Sequence, residues 1–420
     1  MNMKNHAITG QVKEFGVIDL FKVRNFRLLW LGQVISDFGN SLTNMTLLFL
    51  VNRLTGSTAA LATMMIMLAI PEVTFGLFAG VFVDRLDRKR VIILSDILRG
   101  FFVLGFILVD SPEKIWLLYV IGFIQATIGT FFYPARNALL PNLIPESGLL
   151  SANSVAETSR IIFNLFGVGV AGAIVGTLNI FWPAFTIDAL TFFTSFLLIS
   201  QIRGYTRGSR PKTSINVKAI FSELVDGLQI TVRTPALLGT MVGAGIAMLG
   251  LGATNVLLVP LLVNDLQVPE TWFAGLEFAQ TSSMVISGGL VATLASRFES
   301  TRIASVGLVL LGLVVVLISQ SQNVWHIMAT LFALGWVLTP LQASFATIVQ
   351  TAVKDEVRGR SSAARGAVIS ASNLISMAFA GILGDMIGIR NVFIIGGIFS
   401  VLAGWAAAKI YSKQPPLISD

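Results

Sequence analysis

Gly80-Val-Phe-Val-Asp84-Arg-Leu-Asp-Arg88-Lys-Arg90 is the stretch on which the fold turns. It is a short, charge-dense connection between two apolar runs, one ending at Val83 and the next beginning at Val91. So short a link makes the two runs antiparallel helical neighbours. The cations Arg85, Arg88, Lys89 and Arg90 assign the turn to the cytoplasmic side of a membrane. Asp84 and Asp87 stand among them, which a plain basic topogenic patch does not require. Gly80 lies one helical turn before Asp84 and leaves space for another helix to approach.

Composition agrees with that reading. Of 420 residues, 54% are hydrophobic and 12% charged, and mean hydropathy is +0.80. Soluble domains carry about 25% charged residues, so the surplus apolar surface needs lipid as its solvent. The net charge of +7 is spread over many short loops and is not a nucleic-acid footprint. The absence of cysteine removes disulfides, thiolate metal sites and cysteine nucleophiles. His6 and His326 are far apart in sequence, and no Ser-His-Asp pattern or classical metal cluster is visible. No Gly-x-x-x-x-Gly-Lys-Ser/Thr motif supports ATP drive. The expectation is therefore a chain that is not an enzyme and has no cofactor. Lys13, Lys22, Arg24 and Arg27 interrupt the start of the chain, so no cleavable signal peptide is read there.

A membrane helix needs about 20 residues, and the chain reads as twelve apolar spans. The estimated bounds are 26–51, 58–82, 91–109, 114–138, 155–178, 182–201, 235–263, 271–295, 303–320, 323–348, 362–387 and 390–410. With both termini inside, every one of the 29 Lys and Arg residues except Arg53, Lys114 and Arg390 falls on the inner side or at inner helix ends. A polar segment rich in Arg and Lys, residues 202–234, divides the spans six and six. The expected organisation is a cytoplasmic segment 1–25, a bundle 26–201, a cytoplasmic linker 202–234, a bundle 235–410 and a cytoplasmic tail 411–420. The linker includes an amphipathic stretch around Val217–Ile230. The Asp84 loop has a degenerate counterpart half a chain later at Ser296-Arg-Phe-Glu-Ser-Thr-Arg302. The two six-span halves therefore read as a repeat.

The pattern Gly80-x-x-x-Asp84-Arg-x-x-Arg88-Lys89 resembles the signature loop between helices 2 and 3 of the major facilitator superfamily. Three more stretches, Asn25-Phe-Arg-Leu-Leu-Trp30, Pro134-Ala-Arg136-Asn and Asp355-Glu-Val-Arg-Gly-Arg360, extend the likeness over about residues 15 to 410. Together they are similar to the twelve-helix bacterial efflux branch that contains macrolide-efflux proteins and enterobactin exporters. The resemblance implies an all-α integral membrane protein with twelve transmembrane helices in two pseudo-symmetric six-helix bundles. It also implies that Asp84 sits near the inner start of helix 11, around Ser361–Ala363, as a latch. Helix 5 departs from the pattern, because Gly167-Val-Gly-Val-Ala-Gly172 lacks the Gly-Pro pair common in antiporters of the superfamily.

Ionisable residues inside hydrocarbon are expensive and often functional. Asp37 and Glu72 are read as near mid-depth and are the candidates for proton coupling, against a purely structural hydrogen-bonding role. Gln33, Gln125, Phe132, Gln280, Trp336 and Gln342 complete the candidate substrate or coupling set. Gly80, Asp84, Arg85, Arg88, Lys89, Asp96 and Arg136 form the candidate gating set, with Asp96 and Arg99 read as only a few residues into helix 3. Asp188 and Glu277 are read as outer-side carboxylates, either water-accessible or hydrogen-bonded within the bundle. The functional expectation is a secondary exporter of amphiphilic small molecules, such as a drug, macrolide-like or siderophore-like compound. It works by alternating access with proton antiport. It is a monomer in the bacterial cytoplasmic membrane, with the lipid bilayer as its solvent and no nucleic-acid partner. A lipid or lysolipid translocase of the same fold is the alternative, and a membrane-embedded enzyme or receptor-like scaffold the more distant one.

Overall fold

The computed structural model describes residues 16–204, 217–353 and 355–412. Parts of the expected N-terminal segment, central linker and tail lie outside these residues. Among the described residues the chain is helical and contains no strand. This is what lipid demands, since a helix satisfies its backbone donors and acceptors within one segment.

A short helix, α1 (Val17–Lys22), leads into the first bundle. That bundle comprises α2 (Arg24–Thr55), α3 (Thr58–Val83), α4 (Arg88–Leu104), α5 (Ile115–Leu139), α6 (Leu149–Ala173) and α7 (Trp182–Ser200). Helix α8 (Val217–Arg233) follows. The second bundle comprises α9 (Pro235–Pro260), α10 (Phe273–Arg297), α11 (Ser300–Ser319), α12 (Val324–Ala352), α13 (Asp355–Ile387) and α14 (Ile389–Tyr411). The 12 helices long and apolar enough to cross a membrane correspond one to one with the sequence spans. Several run further than hydropathy indicated: α2 reaches Thr55, α12 reaches Ala352 and α13 begins at Asp355. Hydropathy marks where apolar side chains stop, whereas a helix continues until its backbone is capped. Gly56, at φ 61°, ends α2. Ser57 accepts from Ala60 N to start α3, and Asp87 accepts from Arg90 N to start α4.

The two bundles repeat one packing scheme. In the first, α2 packs on α6 and α7, α3 on α5, and α4 on α5 and α7. In the second, α9 packs on α13 and α14, α10 on α12, and α11 on α12 and α14. These are the same pairings six membrane helices later. Small residues make the closest crossings possible. A Cβ at Gly397 would come within 2.6 Å of Gly312 O, so α11 and α14 touch backbone to backbone. Between the bundles, α3 packs on α13 and α6 on α10. The glycine-rich run of α6 serves both contacts: Gly167 lies against Ser41 and Phe38 of α2, while Gly172 and Gly176 meet Glu270 and Thr271 at the start of α10.

The expected eleventh-span start is corrected. Ser361 lies six residues into α13, not at its positive end. Free N–H groups of a helix belong to its first turn, which here starts at Asp355. The start of α13 packs on α8 instead, with Asp226 and Arg360 at 3.9 Å.

The short loops alternate between two faces, one bearing Arg53 and the other bearing Asp84. Ser321 of the Arg53 face is buried, with its carbonyl held by Arg390 Nη1 at 2.9 Å, whereas its neighbour Gln322 is exposed. Ser147 is exposed on the Asp84 face. In this cysteine-free chain, Ser147→Cys should label with a membrane-impermeant maleimide only from the cytoplasm and Gln322→Cys only from outside. Labelling of both from one side would overturn the twelve-span orientation.

Candidate functional site

A cavity of about 650 Å³ opens inside the first bundle. Helix α2 contributes Asn40 and Asn44, α3 Glu72, α4 Arg99, α5 Gln125, Tyr133 and Asn137, and α7 Asp188 and Phe192. Polar groups at this depth are held by their neighbours rather than by bulk water. Gln125 Nε2 donates to Arg99 O at 2.9 Å. The Arg99 guanidinium donates to Asn40 Oδ1 and lies 4.3 Å from the Phe192 ring centroid. Its Nε is buried without a partner. Asp188 is 1% exposed and accepts from Thr191 Oγ1 at 3.1 Å. Arg99 and Asp188 both line this cavity. Pro71 lies inside α3 and removes one backbone donor there. The next residue, Glu72, is exposed on the cavity wall.

Glu72 and Gln125 thus line the cavity. Asp37 and Gln33 are both buried and bonded to each other, Gln33 Nε2 to Asp37 Oδ2 at 3.4 Å, outside the cavity lining. Phe132 is buried, its ring centroid 6.0 Å from Arg99. Gln280 is half-buried on α10 and Gln342 exposed on α12, and neither lines this cavity. Trp336 belongs to a separate apolar groove among α10, α11 and α12.

Two placements correct the sequence reading. Arg99 is eleven residues beyond the start of α4 at Arg88, which is about 16 Å of rise and well inside the bundle. Asp96, a turn earlier, is fully buried and accepts from Ser195 Oγ at 2.6 Å, tying α4 to α7. Asp188 is buried rather than at a watery rim, so the hydrogen-bonded alternative holds. Counting residues from the Asp84 loop would have found the depth of Arg99. Its partners on α2 and α7 left no signal in the sequence.

In the Asp84 loop, Arg88 Nη1 donates to Ala138 O at 2.8 Å. Lys89 Nζ donates to Ser200 O and Ile202 O, both at 2.7 Å. These cations satisfy carbonyls at the ends of α5 and α7. Asp84 is half exposed and 3.6 Å from Arg88, within its own bundle. A Cβ added at Gly80 would meet nothing within 4 Å, so no helix occupies the space that the sequence reserved.

The Arg53 face is closed. Asp385 of α13 accepts from Thr58 N at 2.8 Å, Thr58 Oγ1 at 2.8 Å, Ser57 Oγ at 2.7 Å and Ala59 N at 3.2 Å, all at the start of α3. Gly384 makes room for Thr58, since a Cβ there would lie 2.5 Å from its hydroxyl. Asn52 and Asn264 exchange two hydrogen bonds at 3.0 Å, and Arg53 pairs with Glu270 at 2.7 Å. None of these bridging residues except Arg53 was singled out from the sequence.

Twelve membrane helices in two matching bundles, one closed face and a polar cavity at depth define a membrane transporter of the major facilitator superfamily. The chain belongs to the family described as transmembrane secretion effectors, whose model matches residues 18–417. It is 27% identical over 88% of its length to the multidrug efflux pump Tap of Mycolicibacterium fortuitum, covering 91% of that protein. It is 23% identical over 89% of its length to macrolide efflux protein A of Streptococcus pyogenes, covering 92% of it. Among solved structures, a bacterial homologue of the lysosomal transporter Spinster, in an inward-facing and unoccupied conformation, superposes with a TM-score of 0.75. That likeness spans 94% of this chain and 99% of the other at 13% identity, and it supports the fold.

The Asp385 contacts generate a prediction. Charge-assisted hydrogen bonds contribute about 1.5–3 kcal/mol each, and Asp385→Asn weakens several at once. Spin labels at Asp110→Cys and Gln322→Cys, in exposed loops of the two bundles on the Arg53 face, should then gain a longer distance component. The open-to-closed ratio should rise by about tenfold. An unchanged distance distribution would show that Asp385 does not hold this face shut.

Proposed function

We propose that this protein exports amphiphilic small molecules across the bacterial cytoplasmic membrane by alternating access, exchanging them for protons. The observation that carries the reading is that, among the described residues, bundle-joining hydrogen bonds gather on the Arg53 face, while Asp84 on the opposite face contacts Arg88 of its own turn and Gly80 borders open space. The cation distribution puts the Asp84 face and both termini in the cytoplasm, so the cavity is then poised to load from inside. The named efflux relatives agree with export.

Glu72 is the acid that meets substrate, because it is exposed on the wall between apolar Leu47 and Leu68 and polar Asn44 and Asn137. Asp37 is the proton carrier. Among the described residues its hydrogen-bond partner is the neutral amide of Gln33, so no cation is bonded to its carboxylate. Asp37→Asn keeps size and hydrogen bonding but cannot carry a proton. In inverted vesicles with an imposed pH gradient, it should abolish uphill efflux while leaving downhill exchange. Glu72→Gln should weaken the apparent affinity for cationic compounds about tenfold and leave neutral ones unchanged. Uphill accumulation with wild-type pH dependence in Asp37→Asn moves the carrier role to Glu72, and full coupling in both variants rules out proton antiport through these acids.

Asp84 acts as the latch of the cytoplasmic face. When that face closes, its carboxylate meets the amino-terminal end of α13, a contact worth about 0.3–1 kcal/mol when exposed and up to ~2 kcal/mol when partly buried. Asp84→Asn should express normally, slow turnover and raise cysteine accessibility from the cytoplasm. Wild-type transport with unchanged accessibility would remove the latch.

A further inference from the structure

Helices α10 and α11 pack on α12 far more than on each other. The gap between them is an apolar groove of about 410 Å³, floored by Trp336, Val337 and Pro340 of α12. Its walls are exposed: Val306 is 50% accessible, Leu310 44%, Phe298 43% and Trp336 39%. In a bilayer such a recess faces the acyl chains of the surrounding lipid. Leu313 and Leu317 continue the exposed stripe of α11 beyond it, so the groove is continuous with the lipid-facing surface. One end carries charge. Arg302, in the first turn of α11, lines the groove with its guanidinium 5.4 Å from the Phe298 ring centroid. Among the described residues no carboxylate pairs with it; the neighbouring Glu299 accepts from Thr301 Oγ1 at 3.3 Å. Arg297, also exposed, adds a second cation to the same connection. From Arg302 to Leu310 is about 12 Å along α11, most of the depth of one leaflet's hydrocarbon, about 15 Å.

We propose that the groove between α10 and α11 binds an anionic phospholipid of the surrounding bilayer, with an acyl chain against Trp336 and the phosphate on Arg302. The chemistry is that of a lipid held from the side, not of the cavity in the first bundle, so the site stands apart from the transported substrate. Arginine is suited to it because its planar donors match phosphate oxygens. The Arg302–Phe298 contact holds the guanidinium at the rim.

Brominated acyl chains quench nearby tryptophan. The full-length protein is reconstituted in phosphatidylcholine vesicles with increasing brominated phosphatidylglycerol or, separately, brominated phosphatidylcholine. The Trp336 signal is the difference between the wild type and Trp336→Phe. It should be quenched by phosphatidylglycerol with an apparent association about fivefold stronger than by phosphatidylcholine, the preference one interfacial arginine provides. Arg302→Gln should reduce that ratio to about one. Val306→Phe, filling the groove at an exposed position without adding a tryptophan, should remove saturable quenching of Trp336 by either lipid. Arg90→Gln, an exposed arginine elsewhere on the Asp84 face, should leave the ratio intact. Equal quenching by both lipids in the wild type overturns the proposal. So does a preference that survives Arg302→Gln, or one lost equally in Arg90→Gln. Because quenching reads occupancy and not transport, a failure here leaves the export reading standing, and a failed efflux assay leaves this one standing.

Discussion

Helix α3 begins at a membrane boundary with backbone donors that no residue of its own turn can fully satisfy. Asp385 of the other bundle supplies the acceptors. A carboxylate at a helix start is favoured both by the free N–H groups and by the helix dipole. Here one residue of α13 ties two six-helix units whose apolar surfaces alone have little drive to associate in lipid. The rest of the closed face follows from it. Once α3 and α13 are pinned, Asn52 reaches Asn264, Arg53 reaches Glu270, and the glycines of α6 seat against the start of α10.

The same economy of small residues explains why the bundles hold together without a water-driven core. Gly167, Gly312 and Gly397 replace side-chain contact by backbone contact, which gains dispersion and leaves fewer rotamers to order. Larger residues are pushed outward, where Leu98, Phe101, Leu313 and Leu317 stand exposed. In a soluble protein such a surface would aggregate; in a bilayer it is solvated. The second bundle repeats the pairing of the first, yet the acids, amides and arginine of the cavity belong to the first alone. Shared packing and divergent lining are consistent with one scaffold carrying chemistry in a single half.

The architecture was largely legible in the sequence because hydropathy, loop charge and a short Gly-to-Asp spacing are local quantities. Twelve spans, the six-and-six division and the antiparallel pair around Asp84 needed no knowledge of tertiary contact. Glu72 and Gln125 were reached by the same route, as polar residues in apolar runs. What failed depended on contacts between distant segments. The bond from Thr58 to Asp385 joins residues 327 apart, and neither residue looks unusual beside its own neighbours. Arg99 was placed too shallowly because α4 starts at Arg88, within the charged loop, and so carries Arg99 a further turn inward. Trp336 was assigned to a substrate pocket on residue type, and only the separation of α10 from α11 shows that it floors a groove on the outside.

Helices α3 and α13 are antiparallel neighbours, and on the Arg53 face the end of α13 lies beside the start of α3. Each also carries an acid near its end: Asp385 two residues before the last of α13, and Asp84 one residue past the last of α3. The two acids are unequally engaged. Asp385 accepts four hydrogen bonds, from two backbone amides and two hydroxyls. Asp84 has a 3.6 Å contact with an arginine of its own turn and stands half in water. The difference sets the direction of bias. An acid left free at an open face is hydrated and loses little, whereas one that must leave four partners loses several charge-assisted bonds together. A clasp of this strength on the Arg53 face would by itself hold the protein with the Asp84 face open. Under the proposed alternating access, ligand binding in the cavity would have to offset it, because a ligand shifts such an equilibrium only by its difference in affinity for the two states.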